Sequence, residues 1–150
     1  MRAVVQRVTE ARVRIGERTI AEIGPGLVVL LGVGRDDRAD DATYVAAKIR
    51  EIRIFDGESQ RHMDRSVADI GGSVLVVSQF TLYGDVRKGR RPAFDAAASA
   101  EEARALYESV VRELRAAQLR VATGEFQAMM RVELVNDGPV TILIDSKRQF

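Results

Sequence analysis

Ser73-Val74-Leu75-Val76-Val77-Ser78-Gln79-Phe80-Thr81-Leu82 is an aliphatic run that gives way abruptly to small polar and aromatic residues. A short apolar run without alternation reads as a strand covered on both faces. Gly71-Gly72 in front of it marks a turn. The run is thus a central strand, and it delivers Ser78, Gln79 and Phe80 at its end. Leu27-Val28-Val29-Leu30-Leu31-Gly32-Val33, after the turn Gly24-Pro25-Gly26, has the same character. Upstream, Val4, Val8, Val13 and Ile15 are separated by Gln6, Arg7, Arg12 and Arg14, which predicts one long strand or two over residues 2–15. Gly16-Glu17 then turns into a second strand, Arg18 to Ile23.

Helical spacing is confined to two places. Ala42, Val45, Ala46 and Ile49 repeat at three and four residues, with Asp36 or Asp37 as candidate caps. Ser99 with Glu102 three residues on forms a capping box, followed by the stripe Ala103, Leu106, Tyr107, Val110 and Leu114. Between the helices, Ile52-Arg53-Ile54-Phe55 reads as a short strand, and Glu58 to Ile70 as a polar, irregular segment. Near the end, Arg131–Val135 and Val140–Ile144 read as two strands flanking Asn136-Asp137-Gly138-Pro139. Proline gives a sheet no N–H, so a strand that holds one bends there or lies at an edge. Gly-Pro is also a step where a cis bond is accessible. Strands outnumber helices without alternating with them, which predicts an α+β fold. With no repeat and no linker, residues 1–150 read as one domain.

Composition excludes several chemistries. The chain has no cysteine, hence no thiol nucleophile, disulfide or thiolate metal site. A single histidine, His62, rules out a multi-histidine metal centre. A net charge of +1 advertises no global field for nucleic acid. The first residues lack the apolar core of a signal peptide, and Leu27 to Val33 is too short to span a bilayer. The expectation is a soluble cytoplasmic protein without metal or organic cofactor.

Gly32-Val33-Gly34 before a helix invites a dinucleotide reading. It lacks the third glycine, and Arg35-Asp36-Asp37 puts acid where a pyrophosphate would sit, so it reads as a turn. His62, beside Arg61 and Asp64, reads as a surface histidine, with catalytic base as the alternative. Met129-Met130 reads as packing for at least one member. Arg87-Lys88-Gly89-Arg90-Arg91-Pro92, just after the Ser78–Leu82 segment, is a compact basic loop suited to phosphate. Thr81 is a candidate nucleophile without an evident base, and equally a backbone support.

Ser78-Gln79-Phe80-Thr81-Leu82 together with Asn136-Asp137-Gly138-Pro139-Val140-Thr141 resembles the signature pair of the D-aminoacyl-tRNA deacylases. The opening Met1-Arg2-Ala3-Val4-Val5-Gln6-Arg7-Val8 and the Arg87–Pro92 loop are also similar to that family, so the resemblance runs end to end. Gln127 and Met129 depart from it: relatives commonly carry a smaller residue at the first and an acidic or aromatic one at the second.

The resemblance implies a homodimeric three-layer β/β/α sandwich that hydrolyses the ester of D-aminoacyl-tRNA, and of mischarged glycyl-tRNA, at the acceptor end. It implies that Ser78, Gln79, Phe80 and Thr81 form the catalytic segment, with Phe80 and Gln79 holding the terminal adenosine. Gly138 and Pro139, from the other subunit, would present carbonyls to the substrate ammonium and exclude an L side chain. Arg7 would anchor that element, with Asn136 and Met130 completing the substrate site and Arg87, Lys88, Arg90 and Arg91 meeting RNA. Hydrolysis would be assisted by the substrate's ribose hydroxyl. Competing expectations are an RNA-binding module without turnover, an oligomeric scaffold, and a deacylase of altered selectivity.

Overall fold

The computed structural model describes residues 1–57 and 62–150, and its spine is β1 (Arg2–Ile15). The first half of β1 pairs antiparallel with β3 (Gly26–Gly32) and the second half with β2 (Arg18–Ile23), both along one edge. The opposite edge is taken along its length by β6 (Arg131–Asp145). From β3 the sheet continues through the parallel strands β4 (Ser73–Ser78) and β5 (Arg120–Thr123). The register of β1 against β6 shifts on either side of Val8. The result is a mixed, nearly barrel-shaped sheet with two helices, α1 (Ala39–Glu51) and α2 (Ala100–Ala116).

The unalternating apolar runs have a direct cause. Leu27, Val29, Leu31, Val74 and Val76 pack with Val45 and Ile49 of α1 and Val110 and Leu114 of α2. Val28, Leu75 and Val77 point the other way, into a second cluster with Val8, Ala11, Val13 and Ile23. Both faces of β3 and β4 are dry, so neither strand has a polar side. Each fully buried aliphatic side chain contributes roughly 1.5–3 kcal/mol.

Four local expectations change. Neither Asp36 nor Asp37 caps α1: Arg38 occupies the cap, and the Asp41 carboxylate reaches back to the Arg38 N–H at 2.8 Å. Asp37 is instead buried, accepting hydrogen bonds from the Met1 ammonium at 2.5 Å and the Gly34 N–H at 2.6 Å. Ile52–Phe55 is not a strand; among the described residues, Phe55 forms an isolated bridge with Arg65 and nothing more of a ladder. The two strands expected around the Gly-Pro step are one continuous β6. The fourth change is β5, four residues long and unanticipated by the sequence reading. The capping box of α2 forms as expected, with Ser99 Oγ accepting from the Glu102 N–H. Residues 58–61 of the segment expected to be irregular lie outside the described residues. Among the described residues, no helix is long and apolar enough to cross a membrane.

Candidate active site

β4 ends at Ser78 because its ladder does: the Gln79 N–H donates to Leu31 O at 2.8 Å, and the chain then closes into a 3₁₀ turn, Phe80–Tyr83. Gly32 and Gly34 make room for that turn. A Cβ on Gly32 would lie 2.9 Å from Gln79 O, and one on Gly34 2.7 Å from the Tyr83 ring. The Gly-Val-Gly segment is therefore packing space beneath the turn.

Above β4 opens a cavity of about 530 Å³. Ser78, Gln79 and Phe80 form one wall, Ala98, Ala100 and Ala103 at the start of α2 another, and Phe126–Met130 with Val132 the third. Among the described residues, none that lines it is ionisable; Ser78, Gln79 and Gln127 supply its polar side chains. Phe126 is fixed from behind, 5.9 Å from the Tyr107 ring centroid and with the Arg104 guanidinium 4.7 Å above it. Tyr107 donates to Val76 O at 2.9 Å, and burial pushes its pKa up to about 12, so it remains a neutral donor. Met130 packs on Gly124, where a Cβ would come within 2.8 Å of its Sδ. Met129 is 92% exposed at the rim, so of the methionine pair only Met130 is packing. Thr81 lies outside the wall and is hydrogen-bonded to Gln79 Nε2.

Gly138 and Pro139 are not at this cavity. They lie on β6 where the ladder passes from Gln6 opposite Thr141 to Val8 opposite Asn136, so β6 uses three more residues than β1 and bulges outward. The Gly138–Pro139 bond is cis, and Gly138 has φ +115°. Arg7 ties the bulge down: Nε donates to Asp137 O at 3.2 Å, and Nη1 to Ile54 O at 2.6 Å. Asn136 Oδ1 accepts from the Val140 N–H at 3.1 Å, closing the bulge from within. Gly138 and Pro139 are exposed. The structure thus brings Ser78, Gln79, Phe80 and Met130 to one cavity and Arg7, Asn136, Gly138 and Pro139 to another element.

The basic loop is closed at its base by paired backbone hydrogen bonds between Asp85 and Ala93, at 2.8 and 2.9 Å. Arg87 grips Asp85 in a fork, at 2.9 and 2.6 Å, and holds that carboxyl down at about 2. Lys88, Arg90 and Arg91 are exposed and unpaired among the described residues. His62 is exposed as well, 3.3 Å from Asp56. A larger hollow, about 830 Å³, lies beside the 3₁₀ turn, and several of its charged side chains are paired: Arg2 with Asp145, Arg87 with Asp85, and Asp37 with the Met1 ammonium.

The family model for D-Tyr-tRNA(Tyr) deacylase matches residues 4–145. The chain belongs to this family. Over its full length it is 61% identical to a D-aminoacyl-tRNA deacylase of Koribacter versatilis, itself covered completely. It is 58% identical to one of Symbiobacterium thermophilum, covering 100% of this chain and 99% of the other. A solved structure named c-Myc DNA Unwinding Element Binding Protein superposes with a TM-score of 0.91 at 42% identity, covering 97% of this chain and 98% of that one. The sequence reading marked Gln127 and Met129, on the third wall, as departures from the family pattern; what it missed is the wall of Ala98, Ala100 and Ala103, which carried no signal of a site.

Proposed function

We propose that the chain hydrolyses the ester joining a D-amino acid, or mischarged glycine, to the 3′ end of tRNA, as a cytoplasmic proofreading step in translation. Family membership supports ester hydrolysis on aminoacyl-tRNA. The observation that carries the chemistry is a cavity whose described lining offers amide and hydroxyl groups but no acid or base. An aminoacyl ester is already activated, and a vicinal ribose hydroxyl can assist, so the wall has only to orient it and stabilise the oxyanion. In this reading Ser78 and Gln79 supply polar contacts to the ester and the terminal adenosine, and Phe80 a stacking face. Thr81 supports Gln79 through the hydrogen bond between their side chains.

The chiral filter is a second subunit. Gly138 and Pro139 are exposed and stand away from their own cavity, which suits an element that completes the site across a homodimer. Their carbonyls would meet the substrate ammonium, leaving no room for an L side chain, while a D side chain points out and glycine has nothing to exclude. The two apolar clusters on opposite faces of β3 and β4 support a three-layer β/β/α arrangement of one domain over residues 1–150. Lys88, Arg90 and Arg91, with Arg87 braced on Asp85, are the RNA-facing charges.

Gln79→Ala is expected to slow single-turnover hydrolysis of D-tyrosyl-tRNA by about 100-fold, as loss of an oxyanion-type donor does. Thr81→Ala is expected to stay within about ten-fold, the cost of loosening Gln79. Near-complete loss in a folded Thr81→Ala protein would instead make Thr81 the nucleophile. A second reading, nucleic-acid binding without turnover, is favoured by the exposed basic loop, and requires salt-sensitive tRNA binding with no ester cleavage in the unmodified protein.

A further inference from the structure

Phe80 is 55% exposed at the mouth of the cavity, yet its ring is not free. Phe94 meets it edge-on, with centroids 4.9 Å apart and planes at 65°. It is the one aromatic partner Phe80 has among the described residues. An edge-to-face pair fixes ring orientation because the positive edge of one ring seeks the negative face of the other.

Phe94 is itself held by backbone hydrogen bonds on either side of it in the chain. The Asp85–Ala93 pair closes the chain immediately before it. Its carbonyl accepts from the Ala97 N–H at 3.0 Å, beside the Gly34–Ala97 bridge. Gly84 leaves room for its ring edge, since an added Cβ would stand 3.1 Å from Cε1. The ring thus projects from the same closed base that carries Lys88, Arg90 and Arg91.

We propose that Phe94 is a positioning residue for the deacylation, setting the plane of Phe80 toward the terminal base and fixing that plane relative to the basic loop. The inference rests on the proposed reading of the cavity. Phe94 touches no reacting atom in this account; it acts through Phe80.

The test is a double-mutant cycle in KM and kcat on D-tyrosyl-tRNA. Phe80→Ala should raise KM about ten-fold or more, from loss of stacking. Phe94→Ala should raise KM about five-fold with kcat nearly unchanged, the size of an aromatic edge contact. Phe94→Tyr, which keeps the ring, should restore the KM, and Phe94→Leu should not, while folding as well as the parent. In the Phe80→Ala background Phe94→Ala should add nothing, because the two act as one unit. A normal KM in Phe94→Leu while Phe80→Ala is impaired would overturn the inference and leave the cavity reading standing. An effect of Phe94→Ala that persists undiminished without Phe80 would overturn it too, as a general structural role. An unimpaired Phe80→Ala would overturn both the inference and the cavity reading.

Discussion

Gly138→Ala is expected to lower hydrolysis of D-tyrosyl-tRNA by about 100-fold and to blur the distinction between D and L esters, while the protein still folds. The backbone there has φ +115°, a region that an alanine enters only with strain of about 1–3 kcal/mol. Its Cβ would stand 2.7 Å from Arg7 Nη2 and 2.9 Å from Val140 Cγ2. Arg7 must therefore shift, and with it go the bonds to Asp137 O and Ile54 O that hold the bulge against the sheet. Because residues 137–139 are exposed, the stability loss should stay near the strain itself. Catalysis is more sensitive, since a misplacement of about 1 Å at a positioning element can cost about 100-fold. Hydrolysis of D and L esters by the purified variant, with circular dichroism to confirm folding, reads both effects. Full activity with full selectivity in a folded Gly138→Ala protein would remove the bulge from the mechanism.

Asp37→Ala should instead be the most destabilising single change at a polar residue. Its side chain is 2% exposed and faces the Met1 ammonium at 2.5 Å, the Gly34 N–H at 2.6 Å and the Tyr83 hydroxyl at 3.2 Å. Met1 is wholly buried, so its ammonium has little water to turn to. Removing one partner of a buried pair costs about 3–5 kcal/mol, because the other charge is left uncompensated. At this chain length that corresponds to a fall in Tm on the order of 10 °C. Asp37→Asn, which keeps the shape and an acceptor but not the charge, should fall between the two. Thermal unfolding measures it, and a shift under about 2 °C for Asp37→Ala would contradict the account. The same carboxylate lies under the 3₁₀ turn that follows Gln79 and Phe80, so the variant also probes what supports the site from below.

Legibility in the sequence followed how local the physics was. The aliphatic runs at Leu27–Val33 and Val74–Val77 announced strands because both their faces are dry, a property each residue carries itself. The capping box at Ser99 was equally local, since donor and acceptor lie three residues apart. The cap of α1 was not: Asp37 has the right side chain, but the buried Met1 ammonium claims it from the far end of the first strand. β5 escaped because Arg-Val-Ala-Thr is too short to show a period. Ile52–Phe55 misled in the opposite sense, with strand-like side chains that find one bridging partner among the described residues.

The site divides in the same way. Ser78, Gln79 and Phe80 were legible as the residues leaving a buried strand, and the Gly-Pro bulge as a break in one. Arg7 and Met130 had been placed by resemblance, and the contacts of Arg7 run to Ile54 and Asp137, far apart in sequence. The pairing of Arg87 with Asp85 is local, two residues apart, whereas that of Phe94 with Phe80 depends on how the loop folds back on its base, which no periodicity or spacing encodes.

The central claim is that this cavity hydrolyses the D ester and spares the L ester. One tRNA charged separately with D-tyrosine, L-tyrosine and glycine, treated with limiting purified protein against an enzyme-free control, tests it most directly. The account predicts rapid loss of the D-tyrosyl and glycyl esters, with the L-tyrosyl ester cleaved at least about 100-fold more slowly. Equal loss of both tyrosyl esters would contradict the chiral filter, and survival of all three, with tRNA still bound, would contradict the enzyme.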